Sequence, residues 1–333
     1  MSAPAPSMFS EDARKMASSL GLKLGRANLE VFAGTLQELG TRDRNLVAVT
    51  SDSRGSGKLG PFGQALPEQI VEVGIAEQNL VGIAAGLASV GKTVFAVSPA
   101  CFLTARSLEQ VKNDVAYSDN PVTLVGISAG VSYGALGTTH HSLHDLAALR
   151  AVNNITIMVP ADNFEASEAV KAAASLRSPV YLRFGKAPLY DLPAATSFTP
   201  GVARLIRAGK DAAFIATGET VIHALLAAAL LEETAGLDCR VLGVSTIKPL
   251  DSAAVLGVAA DCAAIVTVEE HMVHGGLGEA VAGALLQSGL APRFRIVGIP
   301  DEYTITGSQA DIFRHYGVSM EGLARSMRDL LGD

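Results

Sequence analysis

The sequence has no tryptophan among its 333 residues, and aromatic side chains make up only 5% of it. A core without large rings must be assembled from small and branched aliphatics, which fits a hydrophobic content of 49% and the pattern of buried parallel strands flanked by helices. Cysteine is nearly absent as well. Cys101, Cys239 and Cys262 are too scattered for a disulfide framework or a CxxC site and read as buried thiols of a reducing compartment. There is no basic run, and the formal net charge is −7, which argues against nucleic acid as a partner. No apolar run reaches the roughly 18 residues of a membrane span, and MSAPAPSMFSEDARK at the start lacks the apolar centre of a signal peptide. The expectation is a soluble cytoplasmic protein with no membrane partner.

What the sequence does contain is alternation. NLVAVTSD (45–52), TVFAVS (93–98), PVTLVGIS (121–128), ITIMVP (155–160) and PVYLRF (179–184) are short and rich in β-branched residues. Helical periodicity fills 27–39, 76–90, 102–117, 142–152 and 163–176. This order predicts a mostly parallel sheet covered on both faces. DLPAATSFTPG (191–201) reads as a linker, and a second α/β cycle follows it: DAAFIATG, a helix over 219–234, DCRVLGVS, AAIVTVEE, a helix over 276–288, FRIVGIP and a final helix over 318–331. The fold class is therefore α/β with two doubly wound domains. Their expected bounds are an N-terminal segment 1–25, a first domain 26–190, the linker 191–201 and a second domain 202–333.

Three stretches carry candidate chemistry. GSGKLG (55–60) follows a strand and matches GxGxxG, but the two prolines of PFGQALPEQ argue against the helix that would hold a pyrophosphate, and Leu59 stands where a phosphate-binding Walker loop needs Ser or Thr. It is either a plain surface loop or an active-site loop whose Ser56 and Lys58 meet a substrate phosphate. TTHHSLHD (138–145) places three of seven histidines within five residues. His140 and His144 have the i, i+4 spacing of two zinc ligands on a helix, but no Glu or Cys completes a set. These histidines can instead bind substrate hydroxyls or relay protons, or stand solvated at a helix start capped by Thr139 or Ser142. In VEVGIAEQNLVGIAAGLASVG (71–91), helical spacing puts Glu77 on the apolar face with Leu80, Val81, Ala84, Ala85, Leu87 and Ala88. It is either a helix-end carboxylate favoured by the macrodipole or a desolvated carboxyl able to share a proton with a bound heterocycle.

GIAEQN with its Ala/Gly helix, PACFLTARSLEQVKNDVAYS, GTTHHSLHDLAALRAVNNITIMVPAD and SPVYLRFGK together resemble the pyrimidine-binding domain of transketolase-like thiamine diphosphate enzymes. GLDCRVLGVSTIKPLD and TVEEHMVHGGLGEA resemble that family's C-terminal domain. No GDG followed by Asn, the family's metal and diphosphate motif, occurs. The resemblance implies the C-terminal subunit of a split transketolase, active in a heterotetramer with an N-terminal subunit whose GDG-bearing domain holds the diphosphate and Mg²⁺ of the cofactor. The implied reaction moves a two-carbon ketol unit from a ketose phosphate donor to an aldose acceptor.

By the same resemblance Glu77 is the catalytic glutamate bonded to the pyrimidine ring nitrogen of thiamine diphosphate, and Phe102 stacks on that ring. Ser56 and Arg183 bind the substrate phosphate, and His140 binds the substrate. Two departures point away from ordinary pentose phosphates: Leu136 stands where many transketolases have an aspartate that reads a donor hydroxyl, and Ser128 where a histidine is expected. His141, His144 and Asp145 are the candidates to replace the missing contact, with an unusual substrate such as apulose 4-phosphate or a sulfosugar. The competing readings are the β subunit of a 2-oxo acid dehydrogenase and a non-catalytic regulatory homologue.

Overall fold

Strands whose residues are apolar without alternation are buried on both faces, and Leu46–Thr50, Val122–Ile127 and Val180–Phe184 have no accessible residue. They lie at the centre of a seven-stranded sheet in a computed structural model that describes residues 8–332; residues 1–7 of the expected N-terminal segment and residue 333 lie outside the described residues. Across that sheet the order is Thr246–Lys248, Thr156–Met158, Val180–Phe184, Val122–Ile127, Thr93–Pro99, Leu46–Thr50 and Ile70–Glu72. All neighbours run parallel except the first pair. The second sheet has five strands, ordered Arg293–Ile299, Ala264–Met272, Ala212–Ala216, Cys239–Gly243 and Arg204–Arg207, with only the last antiparallel. The architecture is two doubly wound α/β units, as the alternation predicts.

The two units do not stay apart. Thr246–Lys248 belongs to the second cycle in sequence but closes the edge of the first sheet. One core cluster joins Val81, Ala84, Leu124 and Leu146 to Ile215, Leu242, Val255 and Leu277, so the second unit packs directly on the first. The remaining face of the first sheet is covered by the helices Asn28–Arg42 and Asn163–Ser175. On the far side of the second sheet lies the helix Thr220–Ala235, buried from Thr220 to Ala229 and again at Leu231, and the N-terminal helix Glu11–Ser19, capped by Ser10, packs against it through Ala13 and Ala17.

Several local expectations change. The helix expected over 102–117 is broken at Ser107 into Ala100–Arg106, Leu108–Gln110 and a π-helical stretch Val111–Tyr117. Thr104 and Ser107 donate back to the carbonyls of Ala100 and Leu103, a local bond that bends helices. The helix expected over 142–152 starts only at Asp145, so His140 and His144 are not on one helical face. PFGQA does form a short helix, Gly60–Ala65, because Pro61 sits in its first turn, where no backbone donor is needed. The chain leaves it before Pro67.

Candidate active site

Five neighbouring parallel strands end on one edge of the first sheet, which brings the loops after them together. In spatial order these segments carry Lys186 after Val180–Phe184, Tyr133 and His140 after Val122–Ile127, Phe102 and Arg106 after Thr93–Pro99, Ser56 and Lys58 after Leu46–Thr50, and Glu77 after Ile70–Glu72.

Glu77 is the first residue of the helix Glu77–Ser89, and its side chain is 2% exposed. Leu80, Val81, Ala84, Ala85 and Ala88 share its buried face; Leu87 is only partly covered. Oε2 accepts a hydrogen bond from Nη1 of Arg106 at 2.5 Å, and among the described residues no bond reaches Oε1. The Arg106 guanidinium also lies 5.0 Å from the centroid of the Phe102 ring. His140 meets Phe102 edge to face at 5.3 Å and Tyr133 at 5.6 Å, with Nδ1 against the Thr139 hydroxyl. Lys186 lies 4.3 Å over the Tyr133 ring. Glu77, Arg106, Phe102, His140, Tyr133 and Lys186 thus form one continuous row from a buried carboxyl to an exposed ammonium. Desolvation against its neighbours, and then the charge of Lys58, push the Lys186 ammonium below the ordinary lysine range. Two cations held near one another favour an anion between them.

Ser56 and Lys58 stand on the exposed loop, where Ser56 bonds the Ser53 carbonyl and Lys58 faces Glu30 at 3.4 Å. His144 is exposed at the start of its helix, with Nε2 3.4 Å from the Thr104 hydroxyl on the Phe102 helix.

Three residues expected at the substrate are largely interior. His141 is buried, with one ring nitrogen at the Thr304 hydroxyl and the other at the Gly134 carbonyl, and burial lowers its pKa. Nδ1 ties the histidine loop to the loop after Arg293–Ile299, and Nε2 ties the histidine loop to itself at Gly134. Arg183, expected at a substrate phosphate, is 6% exposed and points into the seam between the two units. Its Nε donates to Asp145 at 2.8 Å and its Nη2 to the carbonyls of Ser142 and Glu270. Asp145, expected to help replace a missing substrate contact, is fully buried in that pair and also accepts from the Tyr181 hydroxyl. The seam holds further carboxyls: burial raises both Glu219 and Glu270, and pushes Glu269 up to about 7 even though it accepts from the backbone of Leu277 and Gly278.

Lys186, Tyr133 and Arg106 are the members of the row that motif reading missed. Lys186 was within reach of it, as the first cation past the end of the strand that carries Arg183. Among the described residues no three His, Cys, Asp or Glu side chains are grouped to hold a metal ion, and no helix is long and apolar enough to cross a membrane.

Comparison with known proteins accounts for most of the chain. The family model for the transketolase pyrimidine binding domain matches residues 26–190, and that for the transketolase C-terminal domain matches residues 201–323. An apulose-4-phosphate transketolase subunit of Phocaeicola vulgatus is 48% identical over 297 residues, covering 89% of this chain and 94% of that protein. The 6-deoxy-6-sulfo-D-fructose transketolase subunit SqwH of a Clostridium species is 34% identical over 304 residues, covering 90% and 93%. Among solved structures, a split gene transketolase described as an inactive beta4 tetramer superposes with a TM-score of 0.83 at 33% identity, covering 92% of this chain and 99% of that one.

Proposed function

The chain belongs to the transketolase family, and from that premise we propose that it is the pyrimidine-binding C-terminal subunit of a two-chain transketolase that moves a ketol unit between sugars. The observation that carries this reading is Glu77: a carboxyl 2% exposed, with one oxygen unbonded among the described residues, on the segment next to a partly exposed Phe102 ring. The oxygen left free can still be reached by a ligand, and a flat heterocycle with a ring nitrogen would satisfy both groups. These residues fit the aminopyrimidine of thiamine diphosphate. They do not include a donor set for its metal, so the diphosphate and Mg²⁺ are assigned to an N-terminal partner chain in a mixed assembly. The solved neighbour described as an inactive beta4 tetramer supports the need for such a partner.

Bound thiamine diphosphate supplies the electron sink for cleaving and remaking a carbon–carbon bond next to a carbonyl. In this reading Glu77 holds and returns a proton at the pyrimidine nitrogen. Phe102 offers the stacking face. His140, wedged edge-on between Phe102 and Tyr133, donates to a substrate hydroxyl or takes its proton. Lys186, Lys58 and Ser56 hold the anionic end of the sugar, and exposed His144 completes the wall. Leu136, more than half exposed on the loop before the histidines, leaves an apolar surface where an acidic side chain would read a hydroxyl. That change, with the relationship to the Phocaeicola vulgatus protein, favours a branched ketose phosphate as donor in the cytoplasm.

The test is reconstitution of the purified chain with a GDG-bearing partner, thiamine diphosphate and Mg²⁺, followed by a donor and acceptor screen. Ketol transfer from apulose 4-phosphate is the expected result. Decarboxylation of a 2-oxo acid onto a lipoyl acceptor would replace the proposal with the dehydrogenase reading, and failure to bind the cofactor would leave a regulatory homologue.

A further inference from the structure

We propose that Arg106 is a positioning residue for Glu77: it takes one carboxyl oxygen so that the other is presented, in a fixed orientation, to the pyrimidine of the cofactor. This rests on the cofactor reading above. Three other buried glutamates of the chain are steered by the backbone, while Glu219, at the seam and away from the row, has neither oxygen hydrogen-bonded among the described residues. Glu269 accepts from the amides of Leu277 and Gly278, Glu270 from Val131, and Glu165 from Ala161. Glu77 has no such anchor. It begins its helix behind Ala76, which provides no side-chain cap, and among the described residues the only hydrogen bond to its carboxyl is from Arg106.

Arg106 is built to hold its place. It is the last residue of Ala100–Arg106, just before the break at Ser107, so it leaves its helix at a defined point rather than along a continuing face. Its guanidinium lies over Phe102, one turn earlier on the same helix, where cation–π attraction restrains it. At 45% exposure it is far more open than the carboxyl it holds. A planar fork can bond one oxygen and lie beside an aromatic ring at the same time, which a point charge on a flexible stem does less well. The arrangement therefore couples the two groups assigned to the cofactor ring, the carboxyl and the stacking phenyl, through one side chain.

The experiment uses the reconstituted two-chain complex carrying Arg106→Met, Arg106→Lys, Glu77→Gln, or Glu77→Gln with Arg106→Met. Its readouts are kcat and KM, the near-ultraviolet circular dichroism of bound thiamine diphosphate, and the thermal midpoint. For Arg106→Met a fall in kcat of about ten- to a hundredfold is expected, the size of one charge-assisted hydrogen bond, with sugar KM within about twofold and an altered cofactor spectrum. Lysine should restore part of kcat. In the Glu77→Gln background the methionine should add little further loss, because the two act as one unit. Methionine with wild-type kcat and spectrum would overturn the assignment, as would a lowered thermal midpoint alone or losses that simply multiply in the double variant. If the wild-type complex binds no thiamine diphosphate, the cofactor reading itself fails; if it binds and turns over while Arg106→Met matches it, only the role of Arg106 fails.

Discussion

Two arginine–carboxylate pairs stand on the same sheet and do opposite things. At the seam, Arg183 and Asp145 are almost completely buried, and each is held by several groups: Arg183 donates through Nε and Nη2 to Asp145 and two carbonyls, and Asp145 accepts from Tyr181 as well. Burial alone would raise Asp145, but the charge of Arg183 overrides it and holds the carboxyl below its usual range. At the site, Glu77 is just as buried but has one partner on one oxygen, and that partner is half in solvent. A carboxyl with both oxygens held by buried partners has little left to offer a ligand; one held on a single oxygen does. The difference teaches that burial of a charge does not mark a functional residue, whereas burial with unfilled hydrogen-bonding capacity can.

The strongest way to test that distinction is to remove each carboxyl system in turn. Glu77→Gln in the reconstituted complex should reduce ketol transfer about 10²- to 10⁴-fold, the usual weight of a positioned acid–base group, with little change in the thermal midpoint. Arg183→Met should do the reverse. Leaving Asp145 buried without its cation should cost about 3–5 kcal/mol in denaturant unfolding, while the fraction that remains folded keeps its cofactor. If Glu77→Gln unfolded the chain and Arg183→Met spared stability, the two pairs would have been assigned the wrong way round.

The contrast also explains what could be read from residues alone. The strands, most helices and the buried face of Glu77 follow from periodicity, which is a local property of the chain. Which unit a strand joins is not local: Thr246–Lys248 carries no mark that sends it to the first sheet. Nor does a histidine cluster show which member turns inward, because His141 is drawn in by Thr304, a residue 163 positions away in sequence. Arg183 is a different case. The run PVYLRF is apolar on both sides of the arginine, which predicts a largely buried charge, while the resemblance to a phosphate-binding position requires an open donor; the side chain is 6% exposed, and Nη1 has no hydrogen bond among the described residues.

His223 is a third case that could break the rule. It is buried, both ring nitrogens lack hydrogen bonds among the described residues, and it is packed between Phe9 and Phe313 under the N-terminal helix, away from the row of site residues. Burial pushes its pKa down to about 4 even though Glu321 pulls the other way. Above the ordinary histidine pKa of about 6.5 the ring is neutral in both folded and unfolded chains and adds no pH dependence. As pH falls from about 6.5 to about 4 the unfolded chain takes the proton first, so stability is lost, up to roughly 3 kcal/mol at the lower end. His223→Leu should remove that share. His271, also held near 4, leaves a slope of the same sign, and Glu269 titrates in the opposite sense, so the readout is the difference between wild type and variant across about pH 4 to 7. An unchanged difference would show that His223 is protonated in the fold without cost.

The smallest expected effect lies at the exposed end of the row, where a charge works in water and not in the interior. Lys186→Ala should raise KM for a phosphorylated or sulfonated donor about tenfold and leave kcat nearly unchanged, because an anion far from the reacting carbon is held equally in ground and transition states. The effect should shrink at high salt, since Lys186 is open to solvent, and it should be absent for an uncharged sugar. A matching substitution at Arg183 would lower the amount of folded enzyme but not this KM. If instead Lys186→Ala left KM alone and a stability-neutral change at Arg183 raised it, the substrate anion would have to reach Arg183, and the buried pair would be the one that binds it.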